Sequence, residues 1–130
     1  MKFPESYRQE IDLKLRALLL AEINGSHDQV YEYIYPVIRF KREAQYPDEP
    51  NTTIDSIKEF LERVVSAELK NIEILGYYPV SEIYGDSPAV KLNYTVLYNR
   101  NKKTEFNSIW VRYSGTWYST SINKVWVKNA

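Results

Sequence analysis

Val90-Lys91-Leu92-Asn93-Tyr94-Thr95-Val96-Leu97-Tyr98 is the stretch that decides the class of this fold. Its apolar residues at 90, 92, 94, 96 and 98 recur at every second position, with Lys91, Asn93 and Thr95 between them. That is the period of a strand with one buried face. Working forward, residues 99–103 turn the chain and residues 106–113 read as a further strand. Ser114-Gly115 then marks a hairpin into a last core strand over residues 117–122. Residues 125–127 read as an extension of the sheet. Working backward, Gly85-Asp86-Ser87-Pro88 is a turn sequence, and residues 72–78 are rich in Ile, Leu and Tyr. Four strands in succession, joined by short turns, predict an antiparallel meander.

The N-terminal half carries a different period. Pro4-Glu5 suits a helix start, and Tyr7, Ile11, Leu15, Leu18 and Leu19 then fall at spacings of three and four. Leu13, Ala17 and Leu20 widen that stripe and predict cover on more than one side. Asn24-Gly25 ends the helix, as a left-handed cap would. Ser26-His27-Asp28-Gln29 fits a capping box opening a second helix to about Tyr35, with Val30 and Ile34 inward. Pro36 kinks or restarts it, while Val37, Ile38 and Phe40 are apolar enough to stay on the core. Residues 41–51, charged and holding Pro47 and Pro50, read as an exposed loop. Thr52-Thr53-Ile54-Asp55 then opens a third helix carrying Ile57, Phe60, Leu61, Val64 and Val65. The expectation is an α+β fold: three N-terminal helices packed on a curved antiparallel sheet of about four strands. Residues 1–130 form a single domain in this reading, with a core over residues 5–122 and a tail or sheet extension over 123–130.

Composition narrows the classes of function. A hydrophobic fraction of 44% with 26% charged residues is that of a globular chain and argues against disorder. Lys+Arg and Asp+Glu are both 17, so the basic excess that supplies affinity for nucleic acid is missing. Arg100, Lys102 and Lys103 make a local basic patch, but they lie in a predicted turn and read as a solvated hairpin tip. With no cysteine, a disulfide scaffold, a thiol nucleophile and a cysteine-ligated metal are excluded. One histidine and one methionine argue against zinc and haem, and no cofactor is expected. The longest apolar run, residues 17–21, is far short of the roughly 20 residues of a membrane span. Neither a Gly-rich phosphate loop nor a Gly-x-Ser-x-Gly elbow is present. Met1-Lys2-Phe3-Pro4-Glu5 lacks the apolar core of a signal peptide, so the default compartment is cytoplasmic. Removal of such a segment from a precursor would leave an extracytoplasmic protein with this same sequence.

The order of elements resembles a known family. A long helix ending in Asn24-Gly25, a short helix at once, a third helix, four strands, and Gly115-Thr116-Trp117-Tyr118 on the final hairpin look like the nuclear-transport-factor-two-like superfamily. This is also called the cystatin-like α+β cone, and it includes the ketosteroid-isomerase-like proteins. The resemblance runs from about Glu5 to Ile122. It implies a bent sheet and helices enclosing a cone whose open end takes a small apolar ligand, and a core position for Trp117. Members of the family include isomerases, dehydratases, hydrolases and adaptors, so fold alone does not choose among functions.

Candidate residues follow from chemistry. His27 is the only imidazole, and its neighbour Asp28 points about 100° away on a helix, so it reads as a surface or capping residue. The family's aspartate base does not map onto this chain: Asp12, Asp28, Asp48, Asp55 and Asp86 fall in helix exteriors, caps or loops. The predicted strands hold only Glu73 and Glu105 as acids. Twelve tyrosines are the unusual feature. Tyr94, Tyr98, Tyr113 and Tyr118, with Glu73 and Glu105, are the candidates to line a ligand pocket. The competing reading makes the tyrosines core and cross-strand pairs. Phe106 and Trp110 share one face of a strand whose other face carries Ile109, Val111 and Tyr113. Such a strand is covered on both sides or forms an interface, which makes Phe106 and Trp110 candidates for homodimer contacts through the sheet. The expected function is a non-enzymatic module binding a small ligand or a protein. The alternatives are an isomerase, dehydratase or hydrolase using a carboxylate and a tyrosine, and an extracytoplasmic domain binding cell-envelope components.

Overall fold

The computed structural model describes residues 2–120; of residues 49–52 only the backbone is described. Four helices precede four strands: α1 Glu5–Ile23, α2 His27–Tyr31, α3 Pro36–Gln45, α4 Glu49–Leu61, β1 Ala67–Ser81, β2 Ser87–Tyr98, β3 Lys102–Tyr113 and β4 Thr116–Ser119. The strands pair in the order β1-β2-β3-β4, all antiparallel, in a curved, unclosed sheet. Register shifts between Leu69/Asn71, Ile74/Gly76 and Tyr78/Ser81 break the β1–β2 ladder. Such irregularities bend a strand and increase its twist. The expected α+β layout is therefore the observed one, with one more helix.

That helix lies across the predicted loop at 41–51, which is corrected: α3 runs to Gln45, α4 begins at Glu49, and residues 46–48 alone connect them. Pro36 restarts the chain as the first residue of α3, one of the two outcomes expected there, whereas Pro50, expected in a loop, stands in the first turn of α4. At those positions the missing N–H is one that a helix leaves unbonded anyway, so proline starts a helix there. The predicted caps also differ. Ser26 makes no side-chain cap bond, and Thr53 is buried inside α4 rather than opening it. Val65 lies beyond the end of α4 and is exposed.

The α1 C-terminus closes as its sequence suggests. Gly25 takes a φ of +69°, Ser26 N–H donates to the Ala21 carbonyl at 2.9 Å, and Gly25 N–H to that of Glu22 at 3.1 Å. These two bonds are a Schellman cap. Buried residues of α1 are Ile11, Leu15, Leu18, Leu19, Ala21 and Glu22. The wider stripe is not buried: Leu13 is 69% and Leu20 58% exposed, and Ala17 is exposed too. α1 is covered along one side, by β1, α2 and β4.

Alternation along β2 and β3 divides the core between two sheet faces. On the inner face Val90, Leu92, Tyr94, Val96 and Tyr98, with Phe106, Trp110 and Trp117, meet Ile11, Leu15, Leu18, Val30, Ile57 and Phe60 of the helices. The opposite face carries a smaller cluster of Ala89 and Val111 beneath Tyr35, Ile38 and Tyr84. Residues 33–35 link the two. Ser119 N–H donates to the Tyr33 carbonyl and Tyr35 N–H to the Ser119 carbonyl, each at 2.8 Å. This short parallel pairing covers part of the outer edge of β4, which otherwise offers unpaired backbone groups. Of the apolar trio at the start of α3, Ile38 packs on the outer cluster while Val37 and Phe40 are exposed. Ile122 and the predicted extension at 125–127 lie outside the described residues.

Candidate functional site

The six residues expected to line one pocket do not converge. Tyr94 and Tyr98 are buried on the inner face, where Tyr94 stacks on Phe106 with ring centroids 4.9 Å apart. Tyr113 faces the other way, its ring 5.6 Å from that of Tyr35. Tyr118 lies 6.5 Å from Tyr113 at the sheet edge. Glu73 is exposed, and so is Glu105, which accepts a 2.9 Å hydrogen bond from the Asn93 side chain. Phe106 and Trp110 are buried within the subunit, on the inner face, and are not available to a second copy. The strand apolar on both faces is covered on both: Ile109 and Val111 pack in the outer cluster.

An acid that the sequence reading passed over is buried instead. Glu22 is 1% exposed, and its Oε1 accepts the Tyr98 hydroxyl at 2.8 Å across 76 positions of chain. Burial first, and the nearby Glu22 second, push the Tyr94 and Tyr98 hydroxyls well above the ordinary tyrosine range. Both phenols therefore stay protonated through neutral pH and can only donate to, or accept from, neighbours as neutral groups. A signal for Glu22 did exist. It stands four positions after Leu18 and seven after Leu15, on the buried period of α1.

A second polar network joins α1 to the last hairpin. Arg112 grips Glu10 through Nε and a terminal nitrogen, at 2.9 and 3.2 Å, and Trp117 Nε1 donates to the same carboxylate at 2.8 Å. The Arg112 hydrogen bond, opposed by burial, holds the Glu10 carboxyl below its ordinary range. Arg112 also lies 4.9 Å over the Tyr7 ring, which meets Trp117 edge-on. His27 sits at the start of α2, its Nε2 3.4 Å from the Asp28 carboxylate. No group of three or more acidic or histidine residues suited to a metal occurs among the described residues.

A groove of about 450 Å³ opens between α1 and α2. Lys14, Ala17, Ala21 and Asn24 supply its α1 wall, at spacings of three and four that place them on one helix face. Gln29, Glu32 and Tyr33 supply the opposite wall, and Tyr118 of β4 closes one end. The Lys14 ammonium lies 4.4 Å over the Tyr33 ring and 5.3 Å over that of Tyr118. Burial holds this ammonium below the usual lysine range, against the pull of Glu32 in the other direction. Of the six candidate pocket residues, Tyr118 alone lines this groove. Lys14 and Tyr33 were not singled out, because a lysine on the flank of an apolar helix stripe reads as solvated surface. Only the crossing of residues 33–35 beside β4 brings the two rings to it.

No protein-family model matches the chain, and no curated protein is similar to it at a significant level. No helix among the described residues is long and apolar enough to cross a membrane.

Proposed function

We propose that this protein is a non-enzymatic binding module on a cone-like scaffold of the nuclear-transport-factor-two-like kind, and that it takes a small ligand in the groove between α1 and α2. The observation that carries this reading is the groove itself. Its volume of about 450 Å³ falls in the range of small-molecule sites, and it combines an apolar floor with a few polar groups. Ala17 and Ala21 leave room where larger side chains would fill it, and Lys14 is anchored by two rings rather than loose in solvent.

The enzymatic alternative has its ingredients in Glu22 and Tyr98, an acid within hydrogen-bond reach of a tyrosine. A catalytic carboxylate has to meet its substrate. Glu22 is nearly inaccessible and lines none of the described cavities. We assign the pair to fastening the end of α1 to the end of β2.

Native mass spectrometry on the protein, exposed to a small-molecule extract and then desalted, tests the reading against Ala17→Trp, whose ring fills the groove from an exposed position. Wild type is expected to retain a small-molecule adduct that the variant loses with its circular dichroism unchanged. An adduct carried equally by both proteins, or none on wild type, would refute it.

A further inference from the structure

We propose that the groove between α1 and α2 selects amphipathic monocarboxylates, with the carboxylate on Lys14 and the apolar body on Ala17, Leu20 and Ala21. The inference rests on the binding reading above and names its ligand class. Geometry supplies the polarity of the site. Lys14 and Asn24, ten residues apart on α1, stand about 15 Å apart along the helix. The ammonium thus marks one end and the amides of Asn24 and Gln29 the other, with the small apolar residues between. Leu20, more than half exposed on the rim, lacks apolar cover that a hydrocarbon body would supply.

Charge decides the head group. The faces of Tyr33 and Tyr118 already hold the Lys14 ammonium, so a cationic ligand would meet a like charge where it would otherwise find aromatic cover. Lys14 is partly buried, whereas Glu32 on the opposite wall is exposed and more fully hydrated. Lys14 is the one cation among the described residues lining the groove, so an anionic head group finds its partner there. Glu32 on the opposite wall opposes added negative charge, a dianion more than a monoanion. A carboxylate fits that balance better than a phosphomonoester, which carries about −1.5 to −2 at neutral pH.

Titration followed by backbone amide shifts at Ala17, Leu20 and Gln29 tests the class with three probes of equal length: octanoate, octan-1-ol and octylamine. Wild type is expected to bind octanoate about 10- to 100-fold more tightly than octanol, the ratio that one charge-assisted contact supplies. Lys14→Met should bring octanoate down to the affinity of octanol while octanol still binds, and Lys14→Arg should keep the preference. Equal affinity for octanoate and octanol in wild type, tighter binding of octylamine, or a preference that survives Lys14→Met overturns the carboxylate assignment and leaves the groove standing. If none of the three probes moves those amides, the binding site itself is wrong and the inference falls with it.

Discussion

Glu10 and Glu22 sit twelve residues apart on one helix and show how far a carboxylate's role depends on what faces it. Glu10 is about one-third exposed and held by Arg112 and Trp117. Because its folded pKa lies below the ordinary 4.5, its contribution to stability is present above that value and is lost as pH falls through the lowered one. Glu10→Gln should therefore cost about 1 kcal/mol in urea unfolding at pH 7. The two proteins should converge at the acid end of the range where the fold survives, and a deficit that grows on acidification would contradict the assignment. Glu22 is buried, and its bond from Tyr98 lies in the apolar core. Tyr98→Phe removes that donor from an acid that is only 1% exposed, at an expected cost of about 2 kcal/mol in the same measurement. A change under 0.5 kcal/mol, on the order of a neutral surface substitution, would mean that the bond contributes little. Neither partnership was legible in the sequence. Helical spacing put Glu22 on the buried side, but its tyrosine lies 76 positions away, and only the folded sheet joins them.

Turns and the glycine cap of α1 were the most legible layer, and the starts of α2 and α4 the least. At the end of α1, Gly25 holds a φ of +69° with nothing within 4 Å of where a side chain would start. Gly25→Ala is therefore a test of backbone conformation alone, without steric crowding. It should lower stability by about 1 kcal/mol, the cost of a left-handed residue, and lower the melting temperature accordingly. A neutral result would show that the cap tolerates a Cβ. The strand periods over 90–98 and the hairpin at Ser114-Gly115 were readable because alternation and left-handed turns are local properties. α3 was not legible past Phe40, since its charges, and Pro47 and Pro50 after it, signal a loop unless proline falls in a first turn. Its packing is unusual as well. Arg39 turns back to donate to the Ile34 carbonyl at 3.0 Å, and Glu43 accepts from Tyr31, while Phe40 and Val37 face solvent. Hydrophobic periodicity alone points that helix the wrong way round. The groove was illegible for a related reason, because its walls come from α1, α2 and β4, and its ring pair from residues 33 and 118.

At the scale of the whole molecule, order should grade from the sheet outward. β2 is flanked by strands on both edges, and its residues 89, 90, 92, 94, 95, 96 and 98 are buried, drawing on clusters of both faces. α1 and α4 each put a row of apolar residues into the inner cluster. α3 has no buried residue and is held by Ile38 and a few polar bonds. Segments with few buried apolar contacts open at low free energy, without unfolding the rest. Hydrogen exchange read by mass spectrometry should therefore find α3 amides exchanging at least ~100-fold faster than those of β2, a gap of about 2.7 kcal/mol in opening free energy. The groove predicts where that gradient stops. Its Tyr33 wall is tied to β4 by the two 2.8 Å bonds at Ser119, so the amides that donate in them, Tyr35 and Ser119, should be protected even though α3 begins immediately after residue 35. If the Tyr35 and Ser119 amides instead exchange as fast as those of α3, the ring over Lys14 is not held by the sheet. The binding site would then be assembled only when a ligand arrives.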